Sequence, residues 1–153
     1  LYVADVLDLF SRRVVGLSMS ERMTTRLVSA ALQQAVTHRN PPQGLTHHSD
    51  RGCQYTSHDF QRLLKSQGMI PSMSSTGNCY DNAAMESFFH TLKTEHVFFE
   101  TYATREQAKQ SIFEYVEVFY NRQRRHSTLG YLSPREIENQ VCQQTNKRLP
   151  AVH

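Results

Sequence analysis

The sequence predicts a single α/β domain, and three observations predict it. Short apolar runs rich in Val, Leu and Tyr alternate with stretches whose apolar residues recur at helical spacing. With 153 residues and 39% apolar content, the chain can bury one core and is too apolar to stay disordered. No internal repeat and no linker divides it, so the domain is expected to span residues 1–140, with a polar tail over 141–153.

The elements follow in order. Leu1 to Asp8 and Arg13 to Met19 are apolar runs joined by Leu9 to Arg12, a connection short enough for a hairpin. Thr24 and Thr25 offer N-caps for a helix through about His38, with Leu27, Val28, Ala31, Leu32, Ala35 and Val36 on one stripe. Arg39-Asn40-Pro41-Pro42 breaks it, and Leu45 to Ser49 supplies a short strand. Ser57 caps the next helix, Asp59 suits its positive end, Phe60, Leu63 and Leu64 form its buried side, and Gly68 ends it. Met69 to Ser74 reads as a strand and Ser74 to Asn82 as a polar loop. In the helix beyond, Met85, Phe88, Phe89, Leu92 and His96 face the core, while Glu86, His90 and Lys93 share a neighbouring stripe. Thr104 and Gln107 form a capping box for the longest helix, which runs to about Tyr120. Ser133-Pro134-Arg135-Glu136 opens a short last helix, and the chain beyond Gln140 is expected to fray.

Composition excludes several classes. Lys and Arg exceed Asp and Glu by 17 to 14, a modest positive balance that favours nucleic acid without demanding it. Cys53, Cys79 and Cys142 are scattered and form no CxxC, which argues against a disulfide framework and for a reducing compartment. His47, His48, Cys53 and Cys79 fit no common zinc spacing. No run approaches 18 apolar residues and no signal peptide opens the chain, so a soluble cytoplasmic protein with no membrane partner is expected. The chain begins at Leu1, inside a strand-like pattern, and reads as a fragment.

The chemistry centres on two carboxylates. Asp50 stands at a strand end, Glu86 on a helix, and 35 residues lie between them, enough for one helix and one strand to fold the chain back. Two hard oxygen ligands converging with open positions suit Mg²⁺ or Mn²⁺. Lys93 lies two helical turns past Glu86, roughly 10 Å along the same face. On periodicity alone, Glu86 and Lys93 also fit an ordinary solvated face. Asp8 and Asp5 offer alternative carboxylates: Asp8 reads as a turn residue bonding nearby backbone N–H groups, and Asp5, on a strand face with Val3 and Leu7, stays open. Asn121 to His126 holds the densest basic cluster, Arg122, Arg124 and Arg125, between Tyr120 and Tyr131. Phosphate contact and cations closing a helix C-terminus are compatible readings of it.

The texts HHSDRGCQYTS, GNCYDNAAMESFFHTLKTE and YNRQRRHSTLGYLSP, with Asp50, Glu86 and Lys93 at these spacings, resemble the retroviral-integrase-type catalytic core of bacterial insertion-sequence transposases of the family numbered three. The resemblance runs from about Leu1 to Ile137. It implies a ribonuclease-H-like mixed sheet flanked by helices and an Asp-Asp-Glu triad holding two Mg²⁺ (or Mn²⁺) ions. It also implies cleavage and transfer of DNA strands by an oligomer on double-stranded DNA, at element ends and target, in the bacterial nucleoid. By similarity Asp50 is the second Asp, Glu86 the Glu and Lys93 a DNA contact. The family's first Asp lies upstream of the motif matching Tyr2 to Leu17, so the chain is expected to lack it, to be truncated at the N-terminal strand, and to be inactive alone. Two rivals stand beside this reading: a metal-dependent nuclease of the same fold, and a fragment that only binds DNA or partner subunits.

Overall fold

The computed structural model describes residues 1–73 and 79–148. Strands β1 (Tyr2–Leu7) and β2 (Val14–Ser20) form an antiparallel hairpin. Asp8 builds its turn: Oδ1 accepts from the N–H groups of Phe10 at 2.9 Å and Ser11 at 3.1 Å, and Arg12 takes the left-handed conformation at φ 61°. Asp8 is therefore a turn residue, as its position implies. Alternation along the strands separates two faces. Ala4 and Val6, opposite Ser18 and Gly16, look one way, while Val3, Asp5 and Leu7, opposite Met19, Leu17 and Val14, look the other.

The first face carries α1 (Thr25–Arg39), which buries Leu27, Val28, Ala31, Leu32 and Ala35. Thr24 stands at its N-cap position without a side-chain cap bond; Asn40, left-handed at φ 42°, closes it by donating its N–H to the Val36 carbonyl at 2.8 Å. Gly16 lets the two elements approach. A Cβ there would lie 2.1 Å from the Ala31 carbonyl oxygen, so no side chain fits between strand and helix.

Strand β3 (Thr46–Ser49) is followed by a short α2 (Cys53–Thr56) that periodicity did not suggest, then α3 (His58–Ser66) and β4 (Ile70–Met73). The Ser57 Oγ caps α3, accepting from the Phe60 N–H at 3.3 Å. β3 and β4 pair in parallel, Thr46 opposite Ile70 and Ser49 opposite Met73. Antiparallel and parallel pairing are thus both present, and among the described residues they form two two-stranded ladders, β1 with β2 and β3 with β4.

Two apolar clusters cover the two faces. Ala4 joins Leu27, Val28, Ala31, Leu32, Phe60, Leu64 and Met69 on one side. Val14 and Leu17 join Phe88 and Leu92 of α4 (Cys79–Glu95) and Ile112 of α5 (Arg105–Glu114) on the other, together with Tyr115, Val116 and Tyr120. Thr104 and Gln107 cap α5 as expected: Thr104 Oγ1 accepts from the Gln107 N–H at 3.1 Å, and Gln107 Oε1 accepts from the Ala103 N–H at 2.8 Å. Beyond Glu114 the helix widens into a π-helical stretch, Tyr115–Tyr120.

Two boundaries differ from expectation. The loop read over Ser74 to Asn82 gives way to helix at Cys79, and residues 74–78 lie outside the described residues. The last helix, α6 (Pro134–Arg148), runs past residue 140 instead of fraying there. Its start is the expected capping box, with the Ser133 N–H donating to Glu136 Oε2 at 2.7 Å and the Glu136 N–H to Ser133 Oγ at 3.3 Å. Its length has a physical reason: the polar residues from Gln140 to Arg148 include neither Gly nor Pro, and Gln, Lys and Arg are good helix formers. Glu138 ties the helix to the body through Arg13 at 2.8 Å and through Arg39. Among the described residues no helix is long and apolar enough to cross a membrane.

Candidate active site

Asp50 follows β3 directly. Its Oδ1 accepts from the Gly52 N–H at 2.8 Å, fixing the carboxylate over the start of α2, and a Cβ at residue 52 would crowd that oxygen at 2.9 Å. Asp50 is exposed, and its second oxygen has no hydrogen-bond partner among the described residues. His47, three residues earlier, is packing: its ring meets Phe60 edge-on at 5.6 Å, and burial holds its pKa below the usual histidine range.

Glu86 is carried by α4, which packs against β3. Phe88 and Leu92 are buried, with the Phe88 ring against Tyr120 at 5.0 Å, and this leaves Glu86, His90 and Lys93 exposed on the opposite stripe. The strand-end and helix placements read from the sequence are therefore those of the fold. Among the described residues, however, no group of three or more His, Cys, Asp or Glu side chains is placed to hold a metal ion. Two exposed hard-oxygen donors are present, and their chemistry fits part of a divalent-cation shell.

Asp5, the carboxylate that the sequence leaves open, is buried. It lies on the β1 face opposite Leu17, is only 7% exposed, and its Oδ2 has no hydrogen-bond partner among the described residues. Burial pushes its pKa up to about 8, so it is held as a neutral acid. Burial pushes the Tyr55 phenol up to about 12, helped by the charges of Asp5 and Asp50, which places that ring within electrostatic reach of both.

The basic segment divides. Arg122 and Arg125 are exposed and join no ion pair among the described residues. Arg124 differs from the expectation of a phosphate contact, because its guanidinium fork already holds Glu95 of α4: Nε to Oε2 at 2.7 Å and Nη2 to Oε1 at 2.6 Å. The Tyr115 hydroxyl donates to the same Oε2 at 3.1 Å, and the bond from Arg124 keeps the Glu95 pKa below the usual carboxylate range. His126, with its Nδ1 3.3 Å from Arg124 Nη1, is driven down to about 4, first by burial and then by the Arg124 charge. Asn121, 1% exposed, mimics a strand partner for β2: its Oδ1 accepts from the Val14 N–H at 2.9 Å and its Nδ2 donates to the Val14 carbonyl at 3.0 Å. Sequence reading missed Glu95 and Asn121, since their partners lie 29 and 107 residues away and no spacing rule links them.

Family models described as integrase core domain match residues 1–79 and 86–142. The chain is 51% identical over 140 residues to the transposase InsF for insertion sequence IS3fB of Escherichia coli K12. The chain belongs to the integrase core family. That alignment takes in 92% of this chain and 49% of the relative, so the chain spans about half the length of the curated relatives it matches. An uncharacterized 31 kDa protein of insertion element IS600 from Shigella sonnei is 48% identical over 134 residues, covering 88% of this chain and 49% of that protein. Among solved structures, the catalytic core domain of BIV integrase superposes with a TM-score of 0.69 at 18% identity, covering 94% of this chain and 89% of that one. The HTLV-2 integrase catalytic core domain, solved in complex with magnesium, gives 0.66 at 18%, covering 86% and 80%. At those identities the likeness establishes the fold: retroviral-integrase type, ribonuclease-H-like.

Proposed function

We propose that this integrase core domain serves metal-dependent cleavage and transfer of DNA strands in transposition, with Asp50 and Glu86 as its metal carboxylates. The observation that carries the proposal is the placement of an exposed Asp at the end of β3 and an exposed Glu on the helix packed against that strand. Asp50 and Glu86 would hold Mg²⁺ or Mn²⁺, two ions in the complete site. Such a pair, when bound, activates the attacking oxygen and stabilises the leaving one in a phosphodiester displacement. Asp50 is oriented for this by its bond to the Gly52 N–H, which holds the side chain at the strand end instead of leaving it to rotate. Lys93, Arg122 and Arg125 supply exposed cations for DNA phosphates, Lys93 on the Glu86 stripe. The partner is double-stranded DNA, engaged by an oligomer, and a third carboxylate beyond Asp50 and Glu86 completes the site, so the 153-residue chain alone does not join strands.

The test uses a duplex with a free 3′-OH, a supercoiled target and Mg²⁺ or Mn²⁺, with the 153-residue chain and with the longest in-frame product that contains it. Joining is expected only from the longer product, and Asp50→Asn or Glu86→Gln in it should abolish joining while leaving DNA binding intact. Joining that survives both substitutions refutes the assignment. Nicking without joining in every product would favour a nuclease of the same fold.

A further inference from the structure

We infer that Arg124 is a positioning residue for Glu86, gripping Glu95 at the far end of α4 and fixing where that helix lies along the sheet. The inference rests on the reading of Glu86 as a metal carboxylate. Glu95 follows Glu86 by nine residues on one helix, about 13 Å along its axis at 1.5 Å per residue, so a shift at one end is carried to the other. The apolar contacts of Phe88 and Leu92 set which face of α4 is buried. Apolar packing is weakly directional along the axis, whereas a two-pronged guanidinium–carboxylate pair fixes both distance and plane.

The anchor behind Arg124 is firm. Asn121, three residues earlier, is bonded to both backbone groups of Val14 in β2, and its carbonyl accepts the Arg135 N–H at 3.0 Å. The N–H groups of Gln123 and Arg124 both donate to the Phe119 carbonyl at 2.8 Å, closing the turn that follows the π-helical stretch. The guanidinium also lies 5.9 Å from the centre of the Tyr120 ring, which meets Phe88 at 5.0 Å and His126 at 5.1 Å. A continuous path therefore runs from β2 through Asn121 and Arg124 to Glu95 and along α4 to Glu86. Tyr115 adds a second bond to the same Glu95 oxygen. Lysine could supply the charge but not the fork.

The test uses the whole chain, with Mn²⁺ as a paramagnetic probe and amide NMR as the readout. In the unsubstituted protein Mn²⁺ should broaden the amides around both Asp50 and Glu86. In Arg124→Gln the Asp50 broadening should persist while that at Glu86 falls several-fold, with amide shifts of the α1–α3 core unchanged. Arg124→Lys should recover little, and the exchanged pair Glu95→Arg with Arg124→Glu should recover most. Salt dependence of DNA binding should be unaltered in Arg124→Gln and reduced in Arg125→Ala. Equal Glu86 broadening with and without Arg124, or a reduced salt slope in Arg124→Gln, overturns the inference. If Mn²⁺ broadens nothing in the unsubstituted protein, the metal reading falls, and hydrogen exchange then decides the positioning claim. Amides from Glu86 to Lys93 should exchange about tenfold faster without Arg124, and unchanged exchange refutes it. Should Arg124→Gln fail to fold, Glu95→Gln removes the charge from the same pair and takes its place.

Discussion

Replacing Asp5 with Val should make the protein more stable, by an amount that grows with pH. The folded pKa of Asp5 is raised from 3.8 to about 8 by burial, so between those values the folded state keeps a proton that the unfolded chain has lost. Stability then falls as pH rises, by about 1.4 kcal/mol per unit. Neutral pH lies about three units above the unfolded value, which sets a ceiling of roughly 4 kcal/mol on the penalty there. The unpartnered Oδ2 adds a cost of about 1–3 kcal/mol that does not vary with pH in this range. Val, β-branched and apolar, suits a strand face shared with Val3 and Leu7. Urea melts of both proteins at half-unit steps from pH 4 to 8 measure the difference directly, since every other titrating group is common to the two and cancels. The gap should be smallest at pH 4 and widen steadily to pH 8. Parallel stability curves across that range would refute the claim that Asp5 is a buried neutral acid.

Asn121→Ala should cost about 2–4 kcal/mol in urea melts, because it leaves the buried N–H and carbonyl of Val14 both unpaired; a loss under 1 kcal/mol would mean water takes its place. Ser133→Ala should lower stability by about 1 kcal/mol, with hydrogen exchange accelerated in the first turn of α6 and nowhere else. The His126 ring should remain neutral down to about pH 4 in an NMR titration. Because its folded pKa is depressed, its contribution to stability is full above the unfolded value of 6.5 and is lost as pH falls through the folded value. A midpoint near 6.5 would show that the ring is solvated.

What the sequence disclosed and what it hid have different physical ranges. The Asp8 turn, the Ser57 cap and the Ser133–Glu136 box are contacts between residues two or three apart, and each is present as read. The buried stripes of α1 and α4 follow from helical period alone. The Arg124–Glu95 pair and the Asn121–Val14 bonds depend on how distant elements dock, so a basic cluster read as DNA-facing conceals one arginine turned inward. The burial of Asp5 is not legible in the sequence, because period 2 assigns a residue to a face without saying how deeply that face is covered. The length of α6 exceeds expectation because a polar composition does not by itself fray a helix: Glu138 and the helix-forming residues beyond it hold the turn.

Whether Asp50 and Glu86 together hold a divalent cation is decided by a calorimetric titration. Mn²⁺ and Mg²⁺ are added to the unsubstituted chain, to Asp50→Asn and to Glu86→Gln, with thermal melts showing that all three are folded. Saturable binding to the unsubstituted chain, lost in Asp50→Asn and weakened in Glu86→Gln, is the predicted result. Binding of equal strength in all three would place the cation elsewhere and rule out Asp50 and Glu86 as its ligands.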